Sequence, residues 1–215
     1  MSLQDKFENI YEKSLWGKNW KGEGGSGKGD GTSPDSRMWI KYITEFIKEH
    51  NIGKIADLGC GDWKFSRFIP WKELGVQYVG YDVVEKVVEN NNKEYSSTHV
   101  KFEHGDITAA DVKGYNLVII KDVLQHLSDE DILKVLDKVL AENQYVIIKN
   151  GYKFGSLTIR KNPQANEWTK RNINNKYSYH PIAIDKYPLN KYSKDVVSMK
   201  THRYKQIVVL KTHKG

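Results

Sequence analysis

The sequence predicts an α/β protein built on a mostly parallel sheet, and three observations carry that expectation. Between residues 54 and 148, short apolar runs suited to strands alternate with longer segments of helical period. Four of these runs close on an acid: Asp57, Asp82, Asp106 and Asp122. The first is followed at once by a glycine turn, Gly59-Cys60-Gly61. Alternation at this pace needs crossover connections and therefore parallel strands. In such sheets ligands gather at the carboxyl ends of the strands.

Taken in order, residues 3–15 set Leu3, Phe7, Ile10, Tyr11 and Leu15 at the spacing of a short amphipathic helix. Trp16-Gly17 follows, and six of the ten residues from 22 to 31 are Gly, the composition of a flexible segment. Ser33 and Pro34 suit the N-cap and first position of a helix running to about His50, with Trp39, Ile40, Ile43, Phe46 and Ile47 on its buried side. Arg37 falls in the first turn, where the helix dipole disfavours a cation. The position calls for a carboxylate partner or a plain surface ion pair.

A strand over 54–58 ends at the glycine turn, and a helix is expected from Asp62 to Ile69, stopped near Pro70. Its N-terminus would offer N–H groups to a polar or negative ligand. A strand over 76–81 runs into Asp82, itself a candidate N-cap for a helix over 83–95. A third strand, 99–103, leads to Gly105-Asp106-Ile107. The fourth, 115–120, is almost unbroken apolar sequence, as in a strand buried on both faces, and runs into Lys121-Asp122. Ser128 can cap a helix over 129–141, with a fifth strand over 144–148. Runs at 196–200 and 206–211, separated by Thr201-His202-Arg203-Tyr204, predict a closing antiparallel hairpin. The chain reads as one domain: N-terminal helices and a Gly-rich segment over 1–53, then a ligand-binding core over 54–215 with an irregular stretch at about 150–192.

Composition narrows the class. The 215 residues are 39% hydrophobic and 28% charged, as in a soluble globular protein. The single cysteine, Cys60, forbids an intrachain disulfide and suits a reducing, cytoplasmic setting, with filling space as its plainest role. No apolar run approaches the roughly 18 residues of a membrane span, and the N-terminus lacks the apolar core of a signal peptide. Residues 150–215 hold 14 Lys and Arg against 3 Asp and Glu, a basic third that suits anionic partners or simply a solvated face.

A dinucleotide fingerprint would need Gly at position 64, where Lys64 stands. The pattern Asp57-x-Gly59-x-Gly61 instead resembles motif I of the class I S-adenosylmethionine-dependent methyltransferases. It departs from that family at Trp63, where a third Gly is common. The interval of 23 residues from Gly59 to Asp82 suits an acid that grips ribose hydroxyls, and Gly105-Asp106-Ile107 resembles the family's Gly-Asp-apolar signature. The resemblance implies a Rossmann-like sheet of seven strands with an antiparallel last strand and helices on both faces. It implies S-adenosyl-L-methionine as cofactor and S-adenosyl-L-homocysteine as product. The implied binding residues are Asp57, Gly59, Gly61, Asp82, Val83, Asp106, Ile107 and Lys121, with Trp16 and Arg37 from the N-terminal part. In that scheme Asp82 holds the ribose, Asp106 the adenine amino group, Ile107 packs on the ring, and Arg37 meets the methionine carboxylate. Trp16-Gly17 and the Gly/Ser stretch resemble the opening of small glycan-associated methyltransferases, which makes that stretch a lid on one reading and a linker on the other.

Methyl transfer from a sulfonium is an in-line displacement, so the protein chiefly aligns donor and acceptor and takes the acceptor's proton. His126 is the candidate base: four residues after Asp122, it would share a helical face with that acid, which can fix the imidazole tautomer. Packing without catalysis is the alternative for His126, and His180 is a second candidate. His and acids do not cluster at ligand spacings, so no metal is expected. The expected acceptor is a sugar hydroxyl of a glycan or its precursor, stacked on Tyr152, Trp168, Tyr177, Tyr179, Tyr187 or Tyr192 and bonded by Asn150, Asn162, Asn172, Asn174 or Asn175. RNA ribose 2′-O-methylation is the rival. Its enzymes use a Lys-Asp-Lys-Glu tetrad, and Asp122 and Lys149 match two members, but no Glu follows Glu167. A third reading is a non-catalytic binding protein on the same fold.

Overall fold

The computed structural model describes residues 2–17, 25–26, 33–152 and 181–212. Its strands are β1 (Lys54–Leu58), β2 (Gln77–Asp82), β3 (Val100–His104), β4 (Leu117–Lys121), β5 (Tyr145–Gly151), β6 (Val196–His202) and β7 (Lys205–Lys211). They form one sheet in the order β3-β2-β1-β4-β5-β7-β6. Pairing is parallel within β1–β2–β3 and within β4–β5, while β7 runs antiparallel to both β5 and β6. This is the mostly parallel sheet with an antiparallel close that the alternating pattern and terminal hairpin predict. The helices are α1 (Leu3–Glu12), α2 (Pro34–Glu49), α3 (Glu85–Tyr95) and α4 (Asp129–Glu142). The chain divides into two compact units, residues 1–110 and 111–215.

In the first unit, Ile55, Ala56 and Leu58 of β1 are wholly buried, as strands covered on both faces require. Helix α2 starts as its sequence dictates: the Ser33 side chain accepts from the Ser36 N–H, and Pro34 takes the first turn. Its apolar stripe buries Trp39, Ile43, Phe46 and Ile47. Helix α1 opens with a reciprocal capping box between Ser2 and Asp5. Phe7 and Ile10 of α1 pack with Val84 and Val87, and Tyr11, Leu15, Trp16 and Val83 lie against the same cluster. The N-terminal helix is thereby tied to the start of α3.

Two expectations fail here. No α-helix spans 62–69; a single 3-10 turn, Ser66–Phe68, stands there. Trp63 adopts a left-handed backbone at φ 52° and drives its ring into an aromatic cluster, with Trp71, Tyr78, Tyr95 and Phe102 centred 5.1 to 6.5 Å away. That conformation breaks helical propagation, and burial of the indole offsets the strain. Nor is Asp82 an N-cap: α3 begins at Glu85 with Val84 in the capping position and no side-chain cap.

In the second unit, β4 buries Leu117, Val118, Ile119 and Ile120 beside Val146, Ile147 and Ile148 of β5 and Val208, Val209 and Leu210 of β7. Ser128 caps α4 by accepting from the Asp131 N–H. Strand β5 runs to Gly151, past the predicted Ile148, because β7 pairs with it along the whole length to Gly151↔Lys205. Tyr192 is buried, and its hydroxyl donates to Asp137 at 2.8 Å. It belongs to the packing of this unit, which corrects its assignment as a sugar-stacking ring.

The middle of β2 shows how tightly the first unit is filled. A Cβ on Gly80 would lie 2.9 Å from both Cys60 Sγ and Phe102 Cδ1. Gly80→Ala is therefore expected to overpack the core and destabilise the fold by about 1–3 kcal/mol, read as a lowered urea midpoint. An unchanged midpoint would contradict the close approach.

Candidate functional site

The first unit builds its site around the Asp82 carboxylate. Asp82 ends β2, is buried, and accepts from the Gly61 N–H at 2.9 Å through Oδ2 and from the Val84 N–H at 3.0 Å through Oδ1. Burial pushes its carboxyl up, opposed by the N–H donors of Val84, Gly61 and Val83. The glycine turn is fixed from every side. The Gly59 and Cys60 N–H groups donate to the Tyr81 carbonyl at 2.8 and 3.0 Å, and Asn91 Nδ2 donates to the Gly61 carbonyl at 2.7 Å. Gly59 and Gly61 hold φ of 78° and 59°, which Gly tolerates without steric cost.

Ser26 sits directly on this turn. Its Oγ accepts from the Asp62 N–H at 2.7 Å and lies 2.5 Å from Tyr11 Oη, and its own N–H donates to Asp62 Oδ2. A Cβ on Gly61 would come within 2.4 Å of Ser26 Oγ. The backbone donors expected to be open at a helix N-terminus are thus engaged within the chain at Gly61 and Asp62. Residues 22–24 and 27–31 of the Gly-rich stretch lie outside the described residues. Where Ser26 is described, it is seated on motif residues.

The other expected residues divide by environment. Asp57 is buried within β1, and its Oδ2 accepts from the Tyr78 hydroxyl at 2.7 Å. Burial and the neighbouring Asp57 push the Tyr78 phenol well up, so it stays a donor to that acid. Cys60 is a buried free thiol pushed up by burial and by Asp82 and Asp57, a filler rather than a nucleophile. Asp106 is half-buried just past β3, with Oδ1 accepting from the Thr108 N–H at 2.8 Å, and Ile107 is buried next to it. Trp16 and Val83 pack on the α1–α3 cluster beside Asp82. Arg37 is exposed on α2.

In the second unit the α-helical turn expected to align Asp122 with His126 is not formed. Asp122 follows β4 with a left-handed backbone at φ 59°, and only a 3-10 turn, Leu124–His126, comes after it. Asp122 lies outside that turn, so the four-residue spacing does not bring a shared α-helical face. Instead Lys121 Nζ donates to Asp122 Oδ2 at 2.7 Å, and Lys205 Nζ donates to Oδ1. Partial burial would raise the Asp122 carboxyl, but the charges of Lys121, Lys205 and Lys149 outweigh it and hold the group well below the usual carboxylate range. Lys149 is fully buried, and its carbonyl accepts the Asp122 N–H at 2.6 Å. His126 is buried, with Nε2 3.4 Å from the Gln125 amide nitrogen, while Gln125 Oε1 accepts from the Gly151 N–H.

Lys205 was missed by sequence reasoning. Its signal is indirect: the predicted hairpin places it beside the end of β5, and the register Gly151↔Lys205 with Lys121↔Lys149 sets the three lysines on one face. Asn150 is buried, and among the described residues neither of its amide atoms finds a hydrogen-bond partner. Tyr187 is 44% exposed and Tyr152 half-buried. His180, Trp168, Tyr177, Tyr179, Asn162, Asn172, Asn174 and Asn175 lie outside the described residues. Among the described residues no group of three or more His, Cys, Asp or Glu is placed to hold a metal ion, and no helix is long and apolar enough to cross a membrane.

A family model described as a methyltransferase domain matches residues 55–142. The mouse small RNA 2′-O-methyltransferase is 23% identical over 158 residues, covering 64% of this chain and 40% of the mouse protein. The chain therefore spans about two fifths of the length of the curated relatives it matches. Among solved structures, magnesium protoporphyrin IX methyltransferase from Synechocystis PCC 6803, with bound SAH, gives a TM-score of 0.62 at 14% identity, over 97% of this chain and 99% of that one. The methyltransferase domain of bacterial CtHen1 gives 0.54 at 16% identity, over 82% and 98%. These likenesses establish the fold. The matched domain and the fold are those of S-adenosylmethionine-dependent methyltransferases.

The Asp122 cluster has a measurable signature in stability. Its carboxyl is depressed in the folded state, so its contribution is fully present above about pH 4, the unfolded value, and is lost as pH falls below it. Asp122→Asn is expected to be less stable than the parent by about 2 kcal/mol at neutral pH. That gap should shrink as the pH is lowered from about 5 to about 2. Urea titrations at several pH values check this, and a gap independent of pH would show that the lysines do not hold the charge.

Proposed function

We propose that this chain methylates the 2′-hydroxyl of an RNA ribose. The observation that carries the reading is the Asp122 cluster: one carboxylate met by Lys121 and Lys205 and by the charge of the buried Lys149. Even with Lys149 neutral, Lys121 and Lys205 against one acid leave a net positive set, which suits an acceptor flanked by phosphates better than a neutral glycan. The glutamate of the four-residue tetrad is absent and Lys205, of opposite charge, does not replace it; the reading rests on the cationic set around Asp122. The relatives named as small RNA 2′-O-methyltransferases support the same choice. This takes up the rival reading, RNA ribose 2′-O-methylation, in place of the glycan acceptor expected from the sequence.

The residues of the first unit fit the donor. Each oxygen of Asp82 accepts one backbone N–H and keeps a lone pair for a hydroxyl, and Asp82 is fixed by the turn it holds. Gly59, Gly61, Val83, Asp106 and Ile107 follow the ends of β1, β2 and β3; Trp16 and Val83 pack on the α1–α3 cluster, Asp57 accepts from Tyr78, and Arg37 is exposed on α2. S-adenosylmethionine supplies a methyl group already activated on a sulfonium. The remaining task is the hydroxyl's proton. Lys149, wholly buried, is in the setting where a lysine serves as a base. Asp122 orients the lysines, and Lys121 and Lys205 hold the neighbouring phosphate. His126 then has a packing role beside Gln125.

Labelled donor incubated with single-stranded oligoribonucleotides, their 2′-deoxy counterparts and deoxyhexose oligosaccharides tests the acceptor. Transfer is expected only where the 2′-hydroxyl is present; transfer to oligosaccharides alone would replace RNA with a glycan. Lys149→Met should lower kcat by about a hundredfold or more, while His126→Ala keeps most activity. The reverse ranking would return the base to His126. Asp82→Ala should weaken donor binding by about 1.5–3 kcal/mol in calorimetry without changing acceptor choice.

A further inference from the structure

The hairpin of β6 and β7 carries an unusual surface. Val197, Met199 and Tyr204 are 55%, 52% and 48% exposed, three of the large apolar side chains most open to solvent among the described residues. Residues 196–211 contain Lys200, Arg203, Lys205 and Lys211 and no acid. β6 is the last strand of the sheet, and residues 199–204 are exposed without interruption. The tip is nonetheless held: the Tyr152 N–H donates to the Tyr204 carbonyl at 3.0 Å, and the Tyr152 hydroxyl donates to the Arg203 carbonyl at 3.4 Å. Lys205, which bonds Asp122, also lies 5.8 Å from the centre of the Tyr204 ring. One ammonium therefore touches both the charged cluster and the aromatic ring.

We propose that this hairpin is a docking surface for single-stranded RNA, on which the Tyr204 ring stacks a base next to the nucleotide held at Asp122; this rests on the reading of RNA as acceptor. The chemistry favours that occupant. An exposed aromatic between Arg203 and Lys205 offers a π-face to any base and cations to the flanking phosphates, the combination that binds single strands without reading sequence. β6 carries Lys200 and leads into Arg203 and Lys205, like charges that disfavour strand addition by a second copy. The backbone bonds from Tyr152 fix the tip in advance, so little ordering is lost when a base lands.

The test is fluorescence anisotropy of a labelled single-stranded oligoribonucleotide titrated with the full chain, without donor, alongside an unlabelled deoxyhexose oligosaccharide as competitor. Binding that weakens with salt is expected. Tyr204→Ala should weaken it about tenfold while Tyr204→Phe preserves it, with matching thermal melts and unchanged donor affinity. Arg203→Ala should lower the salt dependence. Equal RNA affinity in the parent and Tyr204→Ala overturns the surface while leaving the acceptor reading intact. Tyr204-dependent RNA binding without methyl transfer to RNA supports the surface and removes the acceptor reading. No RNA binding by the parent chain overturns the proposal, and displacement of bound RNA by the oligosaccharide overturns it in favour of a glycan.

Discussion

The Asp82 carboxylate is the interaction on which the first unit depends. A buried acid is tolerated only with donors aimed at it, and here those donors are backbone N–H groups of the glycine turn and of the residue before α3. The acid thus joins the ends of β1 and β2 to the start of a helix. It dictates the left-handed glycines, because only that backbone turns the Gly61 N–H toward it. The Asn91 amide completes the turn from α3 itself. A ligand arriving at these strand ends meets a surface already organised, so little of its binding energy is spent on ordering the protein.

The second unit solves the opposite problem. Its charges are positive, and one carboxylate must hold them together. The parallel register of β4 with β5 and the antiparallel register of β5 with β7 bring Lys121, Lys149 and Lys205 to one face from three separate strands. Asp122 then leaves the strand through a left-handed residue, a conformation Asp adopts more readily than most, and its carboxylate turns back to them. A cluster of this kind is costly to bury, and removing one partner leaves the others' charge uncompensated.

Much of the architecture was legible because it follows from local rules. Period and punctuation located the strands between 54 and 148, and Ser33 and Ser128 announced their helices by the capping chemistry they perform. The hairpin followed from two apolar runs too close for a crossover. What escaped depends on distant packing. Trp63 looked like a defect in a glycine motif; its left-handed backbone takes the conformation a Gly would, and the indole's partners lie as far along the chain as Phe102. Lys205 reaches Asp122 across 83 residues, a contact no local pattern encodes. The spacing of Asp122 and His126 was read on an α-helix, where the chain makes a 3-10 turn.

The burial of Cys60 has a practical consequence. It is the only thiol in the chain and sits inside the glycine turn, against Gly80 and beneath the Asn91 amide. A reagent that alkylates thiols can reach it only when the turn opens, and the burial that raises its pKa keeps it unreactive until then. The rate of labelling under native conditions therefore clocks the opening of this one loop, separately from global unfolding. Any molecule that settles on the turn should slow that clock.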